Sequence, residues 1–452
     1  MALRVAVVGS GPAGFYAAGH LLESDLPVEV DMIERLPTPW GLVRLGVAPD
    51  HPKIKAVSKA FERIAAQPGF RFLGGVEVGR DLTHEDLSRL YDAVVYAVGA
   101  QTDRRMGIPG EDLPGSWAAT ELVAWYNGHP DYQGLRFDLS GERAVVVGAG
   151  NVALDVVRML ALAPEEIRPT DTTDEAIEAI LGSGLTEIVL LARRGPAQAA
   201  FTTPELKELG ELAEADVIVD PAELELDPTS EAALEHDTNA RRNVEVLREY
   251  AARPPAGKKR AIRLRFAVSP VAILGEDRVE GVEIVKNRLV ADDSGRVAAV
   301  ATDERETIPC GIVFRSVGYL GVELAGLPFD ERRATIPNES GRVTGAAGVY
   351  CAGWIKRGPS GVIGTNKKDA TETIELLLED ARAGRLARGD PAATGETVEE
   401  LLAARGVEHV TYAGWEAIDL EERGRGEPQG RPRVKLATWD ELRAAARGIA
   451  TK

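Results

Sequence analysis

The amino-acid sequence predicts an α/β fold that contains two strand-turn-helix units of the same kind. In the first unit, a predicted strand over residues 3–9 contains an apolar run at residues 5–8, which meets the turn Gly9-Ser10-Gly11-Pro12-Ala13-Gly14. In the second unit, residues 144–147 meet Gly148-Ala149-Gly150-Asn151-Val152. Each run is continuously apolar, as in a buried parallel strand, and each turn leads into a helical pattern. Such glycines let the backbone approach a pyrophosphate, whose charge rests on the helix N-terminus. The pair therefore predicts two dinucleotide sites.

The first unit continues with a helix over residues 13–22 and a second strand over residues 28–34. That strand ends at Glu34, where an acidic side chain accepts hydrogen bonds from a free ribose hydroxyl and repels a phosphate. The first site therefore fits FAD or NAD, and its place near the amino terminus favours FAD.

Residues 52–66 have the pattern of one amphipathic helix. Their apolar side chains share a helical face, while Lys55, Lys59 and Arg63 recur every four residues on another face. Such a stripe is usually a solvated surface. It is also a candidate contact for an acidic partner.

The second unit predicts a helix over residues 151–162, a polar insertion over residues 164–184 and a strand over residues 186–192. Arg193 and Arg194 then stand where the first unit has its acid. Arginine side chains donate paired hydrogen bonds to a phosphate. The exchange of acid for base therefore predicts a nucleotide with a 2′-phosphate, NADP(H).

Two late segments resemble the ends of nucleotide-binding sheets. Residues 313–319 repeat the pattern of residues 94–100, a strand that ends in a glycine turn. A further strand, residues 348–354, is followed by a glycine-rich turn and a helix through residue 378, whose positively polarised start fits the electron-rich edge of a reduced flavin. Beyond residue 389, breaks at residues 390–396 and 423–432 separate short helices without recognisable chemistry.

Composition narrows the function classes. The chain has 452 residues, which suggests two or three domains, and a formal net charge of -18, which disfavours nucleic acid as a partner. Its two cysteines, Cys310 and Cys351, are too few for an iron–sulfur cluster and too far apart for a C-x-x-C redox pair. An uninterrupted apolar run of membrane-spanning length is absent from the sequence, so we expect a cytoplasmic protein without a transmembrane segment.

Together these motifs resemble the adrenodoxin reductase-type ferredoxin:NADP reductases, which are FAD enzymes of the glutathione-reductase superfamily. The resemblance extends over about residues 3–378 and is carried by several separate motifs: residues 9–16, Trp40-Gly41-Leu42-Val43-Arg44, His51-Pro52-Lys53-Ile54-Lys55, residues 148–158, Arg193-Arg194-Gly195-Pro196, residues 314–319 and residues 352–366.

The resemblance implies an NADP-binding domain, residues 104–319, inserted into an FAD-binding domain formed by residues 1–103 and 320–452, with a tail from about residue 390. It implies FAD contacts at Gly9, Gly11, Ala13, Gly14, Glu34, Leu42, Val78, Trp354, Gly361, Val362 and Ile363. It implies NADP contacts at Gly148, Ala149, Gly150, Asn151, Val152, Arg193, Arg194, Glu205 and Gly361. His51 and Glu205 are the implied catalytic residues, which orient the nicotinamide or adjust a proton beside it, and no metal is expected.

The implied function is ferredoxin:NADP oxidoreduction, in which NADPH passes a hydride to FAD and single electrons leave to an external ferredoxin. Ferredoxins are acidic iron–sulfur proteins, so we expect docking on basic residues near the flavin: Lys55, Lys59, Arg63, Arg241 and Arg242. We expect a monomer. Two alternatives stay open, an NADPH-dependent flavin monooxygenase and a flavoprotein that senses NADPH without turnover. A dithiol reductase would need a cysteine pair that the sequence lacks.

Overall fold

A computed structural model of the protein describes residues 2–292, 297–386 and 397–448. The strands in these ranges are β1 (Leu3–Val8), β2 (Val28–Glu34), β3 (Phe70–Gly74), β4 (Ala93–Tyr96), β5 (Thr102–Asp103), β6 (Ser116–Ala118), β7 (Arg143–Val147), β8 (Glu187–Ala192), β9 (Ala215–Val219), β10 (Arg260–Phe266), β11 (Val268–Leu274), β12 (Gly281–Ala291), β13 (Val297–Pro309), β14 (Ile312–Arg315), β15 (Tyr319–Leu320), β16 (Asn338–Glu339), β17 (Arg342–Val343) and β18 (Val349–Cys351).

The helices in the same ranges are α1 (Pro12–Leu22), α2 (Leu42–Leu45), α3 (Pro52–Lys55), α4 (Ser58–Ala65), α5 (His84–Leu90), α6 (Ala119–Tyr126), α7 (Asn151–Ala161), α8 (Pro164–Ile167), α9 (Asp174–Leu181), α10 (Thr203–Leu209), α11 (Pro228–Ala233), α12 (Thr238–Ala252), α13 (Trp354–Arg357), α14 (Ile363–Arg382), α15 (Val398–Ala404), α16 (Tyr412–Gly426) and α17 (Trp439–Ala446). Short 3₁₀ turns lie at Pro196–Gln198, Pro221–Leu224 and Glu427–Gln429.

The first predicted unit lies at the centre of a seven-stranded sheet with the strand order β16-β17-β18-β4-β1-β2-β3. Strands β18, β4, β1, β2 and β3 are parallel, and Val5 pairs with Val30 on one side and Ala93 on the other. Because both faces of a parallel sheet are covered, β1 has no polar alternation: Val5, Ala6 and Val7 are fully buried. We call the part of the protein built on this sheet the seven-stranded lobe.

The second predicted unit lies in a six-stranded parallel sheet with the order β6-β14-β7-β8-β10-β9. An antiparallel sheet, β11-β12-β13, packs beside it, and their buried side chains form one apolar cluster that includes Val145, Val189 and Ile284. We call this part the six-stranded lobe. The chain passes between the lobes near β5 and β15, two short strands that pair with each other.

The predicted α/β fold with two parallel sheets is confirmed, but two local predictions are wrong. The single helix over residues 52–66 is two helices, α3 and α4, because hydrogen bonds from Val57 to Ile54 and from Ala60 to Val57 make tight turns between them. The break predicted at residues 423–432 begins later, since α16 continues to Gly426. The break predicted at residues 390–396 lies outside the described residues.

None of the helices in the described ranges combines the length and apolar character needed to cross a bilayer.

Candidate active site

The first glycine turn, between β1 and α1, is tightly packed on one side and open on the other. Gly9 has a φ of +102°, and a Cβ on Gly14 would lie only 2.0 Å from the carbonyl oxygen of Gly9. Helix α1 therefore starts directly against the turn, as the sequence predicts. A Cβ on Gly11 would meet no described atom within 4 Å, and none of the described side chains caps the first N–H groups of α1. Uncapped N–H groups beside open space suit a pyrophosphate.

Glu34, at the end of β2, lies against this turn. Its carboxylate accepts hydrogen bonds from the N–H and Oγ of Ser10, at 2.9 and 2.7 Å, and from the N–H of Leu36 at 3.0 Å. The end of β2 is also hydrogen-bonded to the loop that contains Val78, because the N–H of Val76 donates to the carbonyl oxygen of Glu34 at 2.9 Å. A negative charge beside the turn accepts a ribose hydroxyl and repels a phosphate.

Two apolar side chains among the predicted flavin contacts are exposed. Leu42 is 44% exposed and Val362 is 61% exposed. The loop before Leu42 is pressed onto the first turn, since a Cβ on Gly41 would lie 2.9 Å from the Cα of Gly11. Val362 precedes the 20-residue helix α14, whose N-terminus is positively polarised. Uncovered apolar side chains and a positive helix end fit the flat, electron-accepting ring system of a flavin.

The segment after β18 reaches the start of α1. A Cβ on Gly353 would lie 2.7 Å from the Cβ of Ala13, so Trp354 begins α13 at the edge of the first turn. Further along α13, Arg357 donates from Nη2 to Asn366 Oδ1 at 3.0 Å, while its Nε and Nη1 are buried without a partner in the part of the chain that the structure describes. Buried N–H donors of a cation favour a polyanionic ligand. The residues present therefore fit FAD.

The second turn, between β7 and α7, has the same geometry as the first. Gly148 has a φ of +142°, and a Cβ there would lie 2.2 Å from the carbonyl oxygen of Ser316. A Cβ on Gly150 would meet no described atom within 4 Å. The side chain of Asn151, at the start of α7, accepts the N–H of Thr202 at Oδ1, at 2.8 Å. It holds the loop that follows β8 against the turn.

Arg193 and Arg194 follow β8, the strand that pairs with β7, so they stand at the same sheet edge as the second turn. The carbonyl oxygen of Arg193 accepts from Asn287 Nδ2 at 2.8 Å, and that of Arg194 accepts the N–H of Ala267 at 3.0 Å. Their backbone is thus fixed by β12 and by the residue that links β10 to β11, while the side chain of Arg193 is exposed. The residues fit the phosphate of an NADP molecule whose pyrophosphate rests on α7.

His51 and Glu205 meet where the two lobes touch. The Nε2 of His51 lies 3.6 Å from Glu205 Oε2 and 2.6 Å from Glu208 Oε2. The side chain of Arg158 is 2% exposed. Its Nε lies 2.6 Å from Asp50 Oδ2, and its Nη1 lies 3.3 Å from Glu205 Oε2. The cluster therefore connects residues before α3 in the seven-stranded lobe with α7 and α10 in the six-stranded lobe.

The electrostatics of this cluster favour a proton on Glu205. Burial, reinforced by the charge of Asp155, raises the pKa of Glu205 to about 7. Burial also raises the pKa of Asp155. Asp50 differs, since the Arg158 guanidinium lowers its pKa although burial acts in the opposite direction. At neutral pH, Glu205 can therefore take up or release a proton beside His51.

The sequence patterns do not single out Glu208 or Arg158. A usable signal was present, because Asp155 and Arg158, and likewise Glu205 and Glu208, are spaced i,i+3 on helices and so share a face. The ligand atoms of His51, Glu205 and Glu208 lie within 4.8 Å of one another, a spacing that a divalent cation could bridge. Because Arg158 already supplies positive charge to these acids, we assign no metal to them.

The predicted stripe of basic residues is wrong for Lys55. Its Nζ lies 2.7 Å from Asp171 Oδ1 and 3.3 Å from Asn127 Oδ1, and its side chain is 16% exposed. The ammonium group of Lys55 is therefore buried in an ion pair with the six-stranded lobe and is not available at the surface. The periodicity of residues 52–66 cannot reveal this pair. The other predicted docking residues are exposed: Lys59, Arg63, Arg241 and Arg242.

Cys310 and Cys351 are free, buried thiols that belong to different lobes. Burial raises the pKa of each thiol to about 12. Because the thiolate is the reactive form, neither cysteine is suited to dithiol exchange at neutral pH.

Comparison with known proteins agrees with this architecture. Residues 3–191 match the family described as pyridine nucleotide-disulphide oxidoreductase. The chain is 52% identical over 446 residues to the NADPH-ferredoxin reductase FprA of Mycobacterium tuberculosis, covering 97% of this chain and 98% of the relative. It is 42% identical over 456 residues to the mitochondrial NADPH:adrenodoxin oxidoreductase of Salvelinus fontinalis, covering 98% of this chain and 91% of the relative.

The three-dimensional structure has a similar counterpart. Mycobacterium tuberculosis FprA, solved in complex with NADPH, superposes with a TM-score of 0.94 at 50% identity, covering 99% of this chain and 100% of the solved chain.

Proposed function

The chain belongs to the family of NADPH-dependent ferredoxin and adrenodoxin reductases, and from this premise we propose that it transfers electrons from NADPH to a ferredoxin by way of FAD. The observation that carries the proposal is the opposite chemistry of two matching turns. Glu34 stands beside the first turn, and Arg193 and Arg194 stand beside the second. One chain thereby offers separate sites to a nucleotide without a 2′-phosphate and to one with it.

Bound FAD supplies the chemistry that accepts a hydride and returns single electrons. In our proposal, the turn at Gly9, Gly11 and Gly14 and the acid Glu34 bind it, with further FAD contacts at Ala13, Leu42, Val78, Trp354, Gly361, Val362 and Ile363. The second turn binds the NADP pyrophosphate, the arginine pair binds its 2′-phosphate, and Gly361 contacts the nicotinamide end. His51 and Glu205 orient the nicotinamide, with Glu205 able to hold a proton near neutral pH.

The proposed domain boundaries follow from this division of labour. Residues 1–103 and 320–452 form the FAD-binding domain, and residues 104–319 form the NADP-binding domain inserted into it. Supporting this assignment, β5 and β15 pair with each other where the chain passes between the lobes. The six-stranded sheet takes all its strands from the segment between β5 and β15, and the seven-stranded sheet takes its strands from before β5 and after β15.

We further propose that the partner is an acidic iron–sulfur ferredoxin and that the protein is a cytoplasmic monomer. Free thiols at Cys310 and Cys351 are in keeping with a reducing compartment, and a net charge of -18 opposes self-association. An acidic partner approaches such a protein where basic side chains are exposed. Arg241 and Arg242 on α12, with Lys59 and Arg63 on α4, provide them.

The function is tested by mixing the FAD-loaded protein with NADPH without oxygen and then adding oxidised ferredoxin. We expect NADPH to bleach the visible flavin absorbance and the ferredoxin to restore it while becoming reduced. Bleaching without transfer to any ferredoxin, followed in air by an oxygenated product, would support the monooxygenase alternative. A flavin that NADPH binds but does not reduce would support the sensor.

Docking is tested by reversing charges. Arg241→Glu with Arg242→Glu should raise the KM for ferredoxin several-fold at low salt, because steering charges act over a screening length of about 10 Å at about 0.1 M salt. NADPH-dependent reduction of ferricyanide should change little. Arg332→Glu with Arg333→Glu, an exposed pair elsewhere on the surface, makes the same change in net charge and is the matched control. Equal effects of the two reversals would contradict a local docking surface.

A further inference from the structure

Residues 427–439, near the C-terminus, lie where the two lobes meet, and we call them the strap. Leu436 is 1% exposed and packs in the core of the seven-stranded lobe. The helix before the strap is fixed in the same lobe, since the fully buried Glu422 accepts a hydrogen bond from Arg44 Nη1 at 2.8 Å. The strap is therefore anchored in the seven-stranded lobe.

Arg431 extends from the strap into the six-stranded lobe. Its Nε donates to the carbonyl oxygen of Thr170 at 3.0 Å, and its Nη atoms donate to the Thr172 carbonyl and the Asp174 carboxylate. All three acceptors lie between α8 and the first residue of α9, and the Arg431 side chain is 4% exposed. Because a guanidinium is planar, three fixed acceptors determine the orientation of the six-stranded lobe relative to the strap as well as the distance between them.

Lys435 makes a second contact between the strap and the six-stranded lobe. Its side chain is fully buried, and its Nζ lies 3.2 Å from Asp171 Oδ2 and 3.1 Å from Asn127 Oδ1. The same Asp171 carboxylate accepts from Lys55 Nζ at 2.7 Å. Although burial opposes the shift, the two lysines lower the pKa of Asp171. One acid of the six-stranded lobe is thus held by two cations of the other lobe.

Trp439, at the start of α17, makes a third contact with the six-stranded lobe. Its Nε1 donates to Asp131 Oδ1 at 2.7 Å, and Arg35 pairs with the same carboxylate at 2.7 Å. The contacts of Arg431, Lys435 and Trp439 with the six-stranded lobe spread over nine residues of the strap. They therefore resist rotation of the lobes as well as their separation.

Without these contacts, the lobes would depend on the crossover strands, on the His51 cluster and on a few side-chain pairs such as Lys55 with Asp171 and Arg35 with Asp131. Strands β5 and β15 have two residues each, and lobes joined by such short connections rotate unless a large interface holds them. In the proposed reaction, however, the nicotinamide of the NADPH bound at the second turn must meet the flavin ring of the FAD bound at the first turn. A displacement of about 1 Å can cost roughly 100-fold in rate.

We propose that Arg431, Lys435 and Trp439 are positioning residues that hold the two lobes in the orientation required for hydride transfer. The strap then fixes the reactive arrangement before NADPH arrives, and turnover needs no rotation of the lobes. This inference rests on the proposed oxidation of NADPH, but the lobe orientation itself can be measured without it.

The test uses the FAD-loaded full chain with Arg431→Ala, Trp439→Phe and a control, Arg423→Ala. Arg423 is 66% exposed and pairs within its own helix with Asp419. We expect the rate of flavin reduction at saturating NADPH to fall about tenfold or more in Arg431→Ala and less in Trp439→Phe. The affinity for NADP⁺ should stay close to that of the unaltered protein, and small-angle X-ray scattering should show a broader distribution of shapes. Arg423→Ala should match the unaltered protein in every measurement.

A lower melting temperature with an unchanged reduction rate and scattering profile would overturn the proposal, since the strap would then only stabilise the fold. If Arg431→Ala does not fold, Trp439→Phe decides, because it keeps an aromatic side chain and removes the indole N–H donor. If NADPH fails to reduce the unaltered protein, the proposed function fails, while the scattering comparison still tests the strap.

Discussion

The two glycine turns have nearly the same backbone and opposite electrostatics. In both, a positive-φ glycine packs against a neighbouring carbonyl, and a second glycine two residues later faces open space. The first turn has Glu34 hydrogen-bonded to its Ser10, whereas the second has Arg193 and Arg194 at the adjacent strand end. In our proposal, the glycines fix where a pyrophosphate rests, and the residues at or just after the end of the next strand select the nucleotide.

The comparison also separates glycines that the fold requires from glycines that the ligand requires. A Cβ on Gly14 or Gly148 would collide with main-chain oxygens, while a Cβ on Gly11 or Gly150 would stand in open space. Substitutions at the two kinds of position should therefore differ in kind.

The largest expected effect is that of Gly14→Ala. The added methyl group must push α1 away from its turn, and overpacking of this kind costs about 1–3 kcal/mol or more. We expect a lower melting temperature and loss of FAD, measured as flavin content after gel filtration. Gly11→Ala should fold normally and bind FAD more weakly.

The second turn provides the converse experiment. Gly150→Ala should weaken NADP⁺ binding while the fold and the flavin are retained, whereas Gly148→Ala, like Gly14→Ala, should also lower the melting temperature. Release of flavin by Gly150→Ala, with NADP⁺ binding intact, would mean that the two turns are assigned to the wrong nucleotides.

A narrower effect, confined to one nucleotide and without loss of the fold, is expected from Arg193→Ala combined with Arg194→Ala. Each arginine should contribute about 1.5–3 kcal/mol through charge-assisted hydrogen bonds to the 2′-phosphate. The kcat/KM for NADPH should therefore fall steeply, while that for NADH, which has no such phosphate, should change little. Parallel losses for both nucleotides would remove the proposed difference between the turns.

The smallest expected effect concerns Glu205, at the meeting point of the lobes. Because burial raises its pKa to about 7, the folded protein binds a proton that the unfolded carboxyl has already released above its ordinary value of 4.5. This stabilising contribution is present at low pH and is lost as the pH rises towards and past about 7. Glu205→Gln should remove that part of the pH dependence in urea unfolding, and the exposed Glu211→Gln should not. Superimposable stability profiles for the unaltered protein and Glu205→Gln would contradict the shift.

Local patterns were sufficient to predict the parts of the fold that repeat at short range. Both turns, strands β1, β2 and β8, and helix α7 lie where apolar runs or helical spacing place them. The position of Glu34 beside Ser10 follows from the parallel pairing of β1 with β2.

Contacts between distant residues could not be predicted in the same way. Lys55 has the spacing of a surface residue, but it pairs with Asp171, and Arg431 is bound by carbonyl oxygens of Thr170 and Thr172. A main-chain acceptor leaves no signature in the sequence, and a buried ion pair looks like two surface charges until the fold brings them together. The C-terminal tail, in which no chemistry was expected, therefore contains the strap.

The most direct measurement of the central comparison is a phosphorus NMR titration of NADP⁺ bound to the FAD-loaded protein. If Arg193 and Arg194 bind the 2′-phosphate, their charges should lower its pKa relative to free NADP⁺, and the shift should vanish when both are changed to Ala. Glu34→Gln should leave the shift unchanged, because that acid belongs to the other turn. A 2′-phosphate that titrates as in free NADP⁺, or a shift that survives removal of both arginines, would contradict the account.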